Sequence, residues 1–312
     1  MSEKLVWGVP SFWIERLPIY YGQHKGFFRE QDLSVGIRYF WGGPELARAV
    51  EQRQVLIGEM GLPPFFKSFS QGLAARVIGS SIIQQLDHYL VGKPEIEGME
   101  DLKGKKIGIL SFGSCDDYFI RFMLRCSSID PDKDVEIFPL GDSYGRLEVF
   151  SSGKIDAGFL VEPFVALGES RGQIKILATV KDYFPSPSPT EEIGTIRYQW
   201  GIIFAHAELL ERNLDLARRA MNGFRRSCRA IKENPEEAAA FGAQVFQLKT
   251  EVFQQALMRG LETWELDAQL DVEGMKNCVQ SQETSFAPPA GAQKETAAIS
   301  VELDLPAMVQ QL

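Results

Sequence analysis

The chain has 312 residues, 45% of them hydrophobic and 24% charged, with 33 Lys and Arg against 42 Asp and Glu for a formal net charge of -9. This length suits two units of about 150 residues or one large α/β unit, and the composition is globular, with no sign of disorder, collagen or a repeat array. The acidic balance and the lack of any Lys/Arg-rich run exclude a general nucleic-acid binder and a protein held on anionic membranes.

The first third repeats one grammar. KLVWGVP reads as a strand, LPIYYGQHKGFFREQ as a helix, LSVGIRYF as a strand and GPELARAVEQRQ as a helix. VLIGEMG, PPFFKSFSQG and AARVIGSSI then add strand, helix and strand. Strands alternating with helices of this length imply parallel βαβ units with helices on both sheet faces. The grammar restarts with KGKKIGIL as a strand, SCDDYFIRFMLRC as a helix, VEIFPL as a strand and SYGRLEVFSSG as a helix. IDAGFLV and, after a short helix, IKILATV complete a second set of strands.

Two segments read as crossings between the sets: DHYLVGK around residues 87 to 93, and RYQWGIIFAH around 197 to 206, which follows the Pro/Ser loop FPSPSPTEEIG. From about residue 207 the sequence is helical, AELLERNLDLARRAMNGFRRSCRAIKE and then NPEEAAAFGAQVF, with Asn234 as N-cap and Pro235 at the first helical position. The expected architecture is α/β with two lobes, each a mostly parallel sheet flanked by helices, joined by two crossings. Residues 1–90 and 202–312 form a discontinuous lobe I, residues 91–201 form lobe II, and a ligand cleft lies between them.

The blocks LPIYYGQHKGFFREQDLSVGI, DLKGKKIGIL, SSGKIDAGFLVEPF and AELLERNLDLARRAM, in this order over roughly residues 5 to 240, resemble the SsuA/THI5-like (NMT1/THI5) substrate-binding proteins of ABC transporters. The resemblance implies the type II periplasmic-binding fold, a small-molecule ligand held in the cleft, and an ABC permease as partner. Open α/β sheets bind ligands at the C-terminal ends of their strands in any case.

Four loops follow predicted strands and should converge there: Ser11, Phe12 and Trp13 after Pro10; Trp41, Gly42 and Gly43; Gly61, Leu62 and Pro63 before Pro64; and Ser111, Phe112, Gly113 and Ser114. Glycine admits close backbone approach, and helix N-termini present unpaired N–H donors. Against a simple anion, Glu45, Asp116 and Asp117 already sit in first helical turns, where they compensate the helix dipole. The resemblance places Glu162, in LVEPF, at the cleft, where a carboxylate can accept hydrogen bonds from a ring amine or a cation. Trp200 and the aromatics Phe40 and Phe159 join Phe12, Trp13, Trp41 and Phe112 around the same loops, which favours a planar organic ligand: pyrimidine-like, an aromatic carboxylate or a sulfonate. Arg16, Arg146 and Arg197 could pair with an acidic ligand if they point inward, but a surface salt bridge or a solvated side chain is the expected fate of each.

The alternative is a cytosolic enzyme or ligand sensor on the same fold. The resemblance extends to a desulfinase and to the THI5 pyrimidine synthase, but Trp13 stands where the desulfinase has its nucleophilic Cys, Ile57 where it has an Arg, and the THI5 cysteine-rich run has no counterpart. Cys115 at a predicted helix N-terminus is an independent candidate thiol, opposed by Asp116 and Asp117, and no base is placed beside it from His24 or His88. No GxSxG, Walker A, HExxH or dinucleotide fingerprint occurs. Cys115, Cys126, Cys228 and Cys278 lack metal-ligand spacing with the three histidines, so reduced core cysteines, no metal and no cofactor are expected.

The start MSEKLVWGVPSFW contains no leader-like apolar run, and no segment is apolar over a bilayer's thickness, so direct membrane insertion is not expected. The location is cytoplasmic if Met1 is the native start and periplasmic or extracellular if a leader was removed. SQETSFAPPAGAQKETAA reads as a surface loop with no functional account.

Overall fold

The computed structural model describes residues 2–81, 88–179, 182–183, 199–262 and 264–285. The first alternating run forms β1 (Glu3–Val9), α1 (Leu17–Lys25), β2 (Leu33–Tyr39), α2 (Gly43–Glu51), β3 (Ile57–Gly61), α3 (Leu62–Ser70) and β4 (Ala75–Ser80). The second forms β5 (His88–Gly92), β6 (Lys106–Ile109), α4 (Cys115–Cys126), β7 (Glu136–Pro139), α5 (Ser143–Ser151), β8 (Ala157–Val161), α6 (Phe164–Ser170) and β9 (Lys175–Thr179). Then come β10 (Gly201–His206), α7 (Ala207–Arg212), α8 (Leu214–Glu233), α9 (Pro235–Phe246), α10 (Thr250–Leu261) and α11 (Val272–Ser285).

Among the described residues two five-stranded sheets result, ordered β2-β1-β3-β10-β4 and β7-β6-β8-β5-β9. In the first, β1 pairs parallel with β2 and β3, while β10 pairs antiparallel with β3 and β4. In the second, β6 pairs parallel with β7 and β8, while β5 pairs antiparallel with β8 and β9. Each sheet therefore has one reversed strand among parallel ones. Every residue of β5, β8 and β10 is buried, as expected for strands covered on both faces.

The segments read as crossings prove to contain these reversed strands. A short apolar run carries no direction, so DHYLVGK gave no sign that His88–Gly92 is a strand of the second sheet, nor RYQWGIIFAH that Gly201–His206 is one of the first. β5 thus begins inside the 1–90 stretch while pairing within the second sheet. The Pro/Ser loop, Arg197 and the greater part of SQETSFAPPAGAQKETAA lie outside the described residues.

The helical tail differs from its sequence reading in two places. The run from residue 207 breaks at Asn213, whose side chain accepts the Leu216 N–H at 3.1 Å and so starts α8 afresh. Asn234 does precede Pro235 at the start of α9, but caps with its backbone only: its carbonyl accepts from Ala238 N at 3.0 Å and its side chain makes no capping bond. The apolar face of α8 lies on β1 and α1, where Phe224 stacks on the fully buried Trp7 with ring centres 5.6 Å apart. α9 packs on α1 and α8, and α10 packs on α9 and on α6 beside the second sheet, so the tail spans both halves. Among the described residues no helix is long and apolar enough to cross a membrane.

Candidate functional site

The parallel strands of each sheet end toward the other sheet. The reversed strands begin at that same end, because their direction is opposite. This brings Trp13 and Arg16 after β1, Glu59 and Gly61 of β3, and Trp200 before β10 together with His88 of β5 and with Leu110, Ser114 and Cys115 after β6. The chamber they enclose leaves about 30 Å³ for an occupant. One water needs roughly 10–15 Å³ and a drug-sized molecule about 300–1,000 Å³, so an organic ligand requires the halves to part.

Contacts across the chamber are close. Trp13 meets the His88 ring edge to face at 5.1 Å, and Ile14 N–H donates to the Glu162 carbonyl at 3.0 Å. A β-carbon on Gly61 would lie 2.2 Å from Cys115 Sγ, and one on Gly42 2.6 Å from Ser111 Oγ. Gly141, after β7, has φ 81°, and the Trp41 ring would sit 2.1 Å from any β-carbon there. Glycine is required at that position both for backbone and for space.

The charges are buried, not solvated. Arg16, 3% exposed, pairs with Glu59 and donates through Nε to the Ser11 carbonyl at 3.3 Å, with its guanidinium 5.5 Å from the Trp13 ring centre. Burial raises the Glu59 pKa more than Arg16 lowers it. Arg146, fully buried, pairs with Asp116 and donates to Ser143 Oγ at 2.8 Å. The surface fate expected for Arg16 and Arg146 is therefore corrected: each has a carboxylate partner distant in sequence, which the sequence does not display. Asp116 also accepts from Leu110 N at 3.0 Å and lies 3.4 Å from His88 Nε2. Burial alone would raise the Asp116 pKa, but Arg146 and His88 outweigh it and bring it down to about 2.

Few helix-terminal donors remain for an anion. Leu62 N–H donates to the Trp200 carbonyl at 2.6 Å, and Pro63 and Pro64 have no N–H to give. Glu45 accepts from Trp41 N at 2.5 Å, Asp117 from Gly113 N at 2.9 Å, and Ser114 Oγ from Asp117 N at 3.4 Å. On chamber-lining residues four buried polar atoms have no hydrogen-bond partner among the described residues: Trp13 Nε1, Glu59 Oε2 and both ring nitrogens of His88, of which Nε2 faces Asp116 Oδ1 at 3.4 Å. Buried polar groups are ordinarily paired, so this set points to an occupant that both donates and accepts.

Of the residues singled out from sequence, Trp13, Gly43, Gly61, Ser114 and Trp200 line the chamber. Ser11, Phe12 and Trp41 line an outer vestibule of about 240 Å³ together with Tyr39, Phe40, Leu110 and Asp142. Gly42 and Ser111 meet at the contact between the halves. Leu62 and Pro63 are buried in the first turn of α3. Phe112, 53% exposed, and Gly113 face a separate groove beside Arg48 and Lys67. Phe159 is fully buried core. Glu162 is fully buried: Oε1 accepts from Arg259 at 2.7 Å and Oε2 from Ala166 N at 3.0 Å. Arg259 reaches Glu169 as well, at 2.8 Å, so Glu162 ties α10 to the second half.

Sequence reasoning missed Glu59 and Ser81, expected Arg16 at the surface over the inward place it also considered, and gave His88 no position. His88 opens a reversed strand, and recognising that reversal was the signal that could have found it. His88 shares the chamber with Cys115, whereas His24 stacks on Phe241 at 4.4 Å, between α1 and α9. Burial, then Asp116 and Glu15, push the Cys115 thiol pKa up, so its thiolate is disfavoured.

The family description "NMT1/THI5 like" matches residues 13–238. The "Putative binding protein YtlA" of Bacillus subtilis is 27% identical over 203 residues, 64% of this chain; the match spans 58% of that relative's length. A structure from Bordetella bronchiseptica RB50 superposes with a TM-score of 0.82 at 22% identity, covering 99% of this chain and 94% of that one. The periplasmic aliphatic sulphonate binding protein SsuA from Escherichia coli superposes at 0.69 with 15% identity, covering 99% and 98%. The fold is that of the periplasmic binding proteins, and the chain belongs to the NMT1/THI5-like family.

Proposed function

We propose that this protein is the solute-binding component of an ABC-type uptake system, closing two lobes over a small planar organic molecule and presenting it to a membrane permease. In this reading β1 to β4 and residues 202–312 form lobe I, and residues 91–201, joined by β5, form lobe II. The observation that carries the reading is the chamber between the strand ends of both sheets, with Trp13 and Trp200 in its wall and four buried polar atoms without a hydrogen-bond partner on its lining. A flat heterocycle would slide against the indoles, accept from Trp13 Nε1, donate to Glu59 and exchange a hydrogen bond with His88. The paired charges and prolines leave little for a bare anion, which favours a pyrimidine-like ring over a simple carboxylate or sulfonate. Glu162 acts as a positioning residue, holding the loop of Trp13 through its carbonyl and α10 through its carboxylate. The periplasmic location and sulfonate binding of the Escherichia coli protein support an exported binding role.

The test is a thermal-shift screen of the purified chain against pyrimidines, aromatic carboxylates, sulfonates and nitrate, with hits recovered and weighed by mass spectrometry. A ligand at 100 times its Kd should add roughly 2.7 kcal/mol. A stabilising compound recovered unchanged supports binding; one that is consumed makes this an enzyme and directs attention to Cys115 and His88.

A further inference from the structure

We infer that the vestibule outside the chamber is a second subsite that takes an organic cation, a protonated or quaternary amine, so that the transported molecule, or one end of it, is positively charged. The inference rests on the binding-protein reading and narrows its ligand class. The vestibule adjoins the chamber, since Pro10 and Leu110 line both. Phe12, Tyr39, Phe40 and Trp41 supply its aromatic wall from lobe I, and Asp142 supplies a carboxylate from lobe II. Its described lining contains no Lys, Arg or His.

Aromatic faces carry negative quadrupole potential and attract cations, most strongly for Trp and where water is excluded. Trp41 is 63% exposed, so one face of its indole is open even though Gly141 lies against the ring. One face of Phe40 is already taken by the Arg38 guanidinium, 5.1 Å from its ring centre, so the ligand's cation would rest on Trp41 and Tyr39 beside Asp142. Ser11 Oγ, on a residue 4% exposed, lines the vestibule and has no hydrogen-bond partner among the described residues. It offers a group to a substituent on the bound amine. The net charge of -9 favours approach of a cation over an anion. At about 240 Å³ the vestibule accommodates a trimethylammonium-sized head without the opening that the chamber requires.

Asp142 permits a clean test. Its Oδ1 accepts from Gly145 N at 2.9 Å and caps α5, and Asn caps helices equally well, so Asp142→Asn removes the charge and keeps the fold. The full chain is titrated by calorimetry with choline and with 3,3-dimethylbutan-1-ol, its neutral isostere. Choline should bind at least about tenfold more tightly than the alcohol, and Trp41→Ala and Asp142→Asn should each weaken it by about 2- to 30-fold. Equal binding of the two probes, no binding of either, or unchanged choline affinity in Asp142→Asn overturns the inference. These outcomes are separate from failure of the binding reading: a planar compound that stabilises the protein in a Trp13-dependent way, with choline indifferent, leaves that reading intact and removes this one.

Discussion

Asp116→Asn removes one buried charge from behind the chamber wall, where Asp116 touches the lining residues His88 and Leu110, and leaves the shape almost unchanged. Asn can still accept from Leu110 N, so the substitution isolates what the negative charge does for Arg146 and His88. Arg146 is fully buried, and stripping a buried ion of its partner costs about 3–5 kcal/mol. For a chain of 312 residues unfolding as one unit, the unfolding entropy is about 0.65 kcal/mol/K, so Tm should fall by about 5–8 °C at pH 7. The pH dependence has a defined sign. Because the folded pKa of Asp116 is depressed to about 2 from 3.8, its stabilisation is present above the ordinary value and is lost as pH falls through the folded one. The deficit of the variant should therefore shrink between these two values, where wild type loses about 2 kcal/mol. Adding Arg146→Met should restore much of the loss, since neither ion is then left alone. Differential scanning calorimetry from pH 7 to pH 2 reads all of this. A variant within about 1 °C of wild type at pH 7, or a deficit that does not change with pH, would refute the reasoning.

Three further outcomes follow from the same geometry. Gly61→Ala meets Cys115 Sγ and not a backbone barrier, since Gly61 has φ -66°; it should hold the lobes apart and weaken ligand binding by about 1–3 kcal/mol, with Cys115→Ala restoring it in a titration of the double variant. Arg259→Met deprives Glu162 and Glu169 of their shared guanidinium and should cost about 1–3 kcal/mol in a urea melt, with faster hydrogen exchange in α10; unchanged exchange would remove α10 as the strap between the halves. Of the four thiols only Cys126 is exposed, so Ellman's reagent should modify one group quickly in the native protein, and Cys126→Ser should abolish that phase; a fast reaction at Cys115 would contradict its burial.

The alternation of apolar strands and amphipathic helices made the two sheets and their helices readable, because that periodicity is local. Direction is not local. β5 and β10 look like any other buried strand, and only the pairing of His88 with Val161 and of Gly201 with Gly61 reveals that they run backwards and begin at the cleft. Two residues of the glycine loops, Gly43 and Gly61, stand in the chamber wall, since strand-to-helix junctions must lie at strand ends. Phe112 shares such a loop but turns outward over α2 and α3, and no spacing rule distinguishes it from Trp13. Partners far apart in sequence were hidden for the same reason. Arg16 with Glu59, Arg146 with Asp116 and Arg259 with Glu162 are buried only because the fold unites them.

The measurement that bears most directly on the binding role is calorimetric titration of wild type and Trp13→Ala with the strongest stabiliser from the screen, followed by mass spectrometry of the recovered compound. The account predicts one molecule bound per chain, recovered unchanged, with affinity at least about tenfold weaker once the indole is removed, as aromatic stacking plus one hydrogen bond implies. Equal affinity in both proteins would place the ligand outside the chamber, and a chemically altered compound would replace the binding protein with an enzyme.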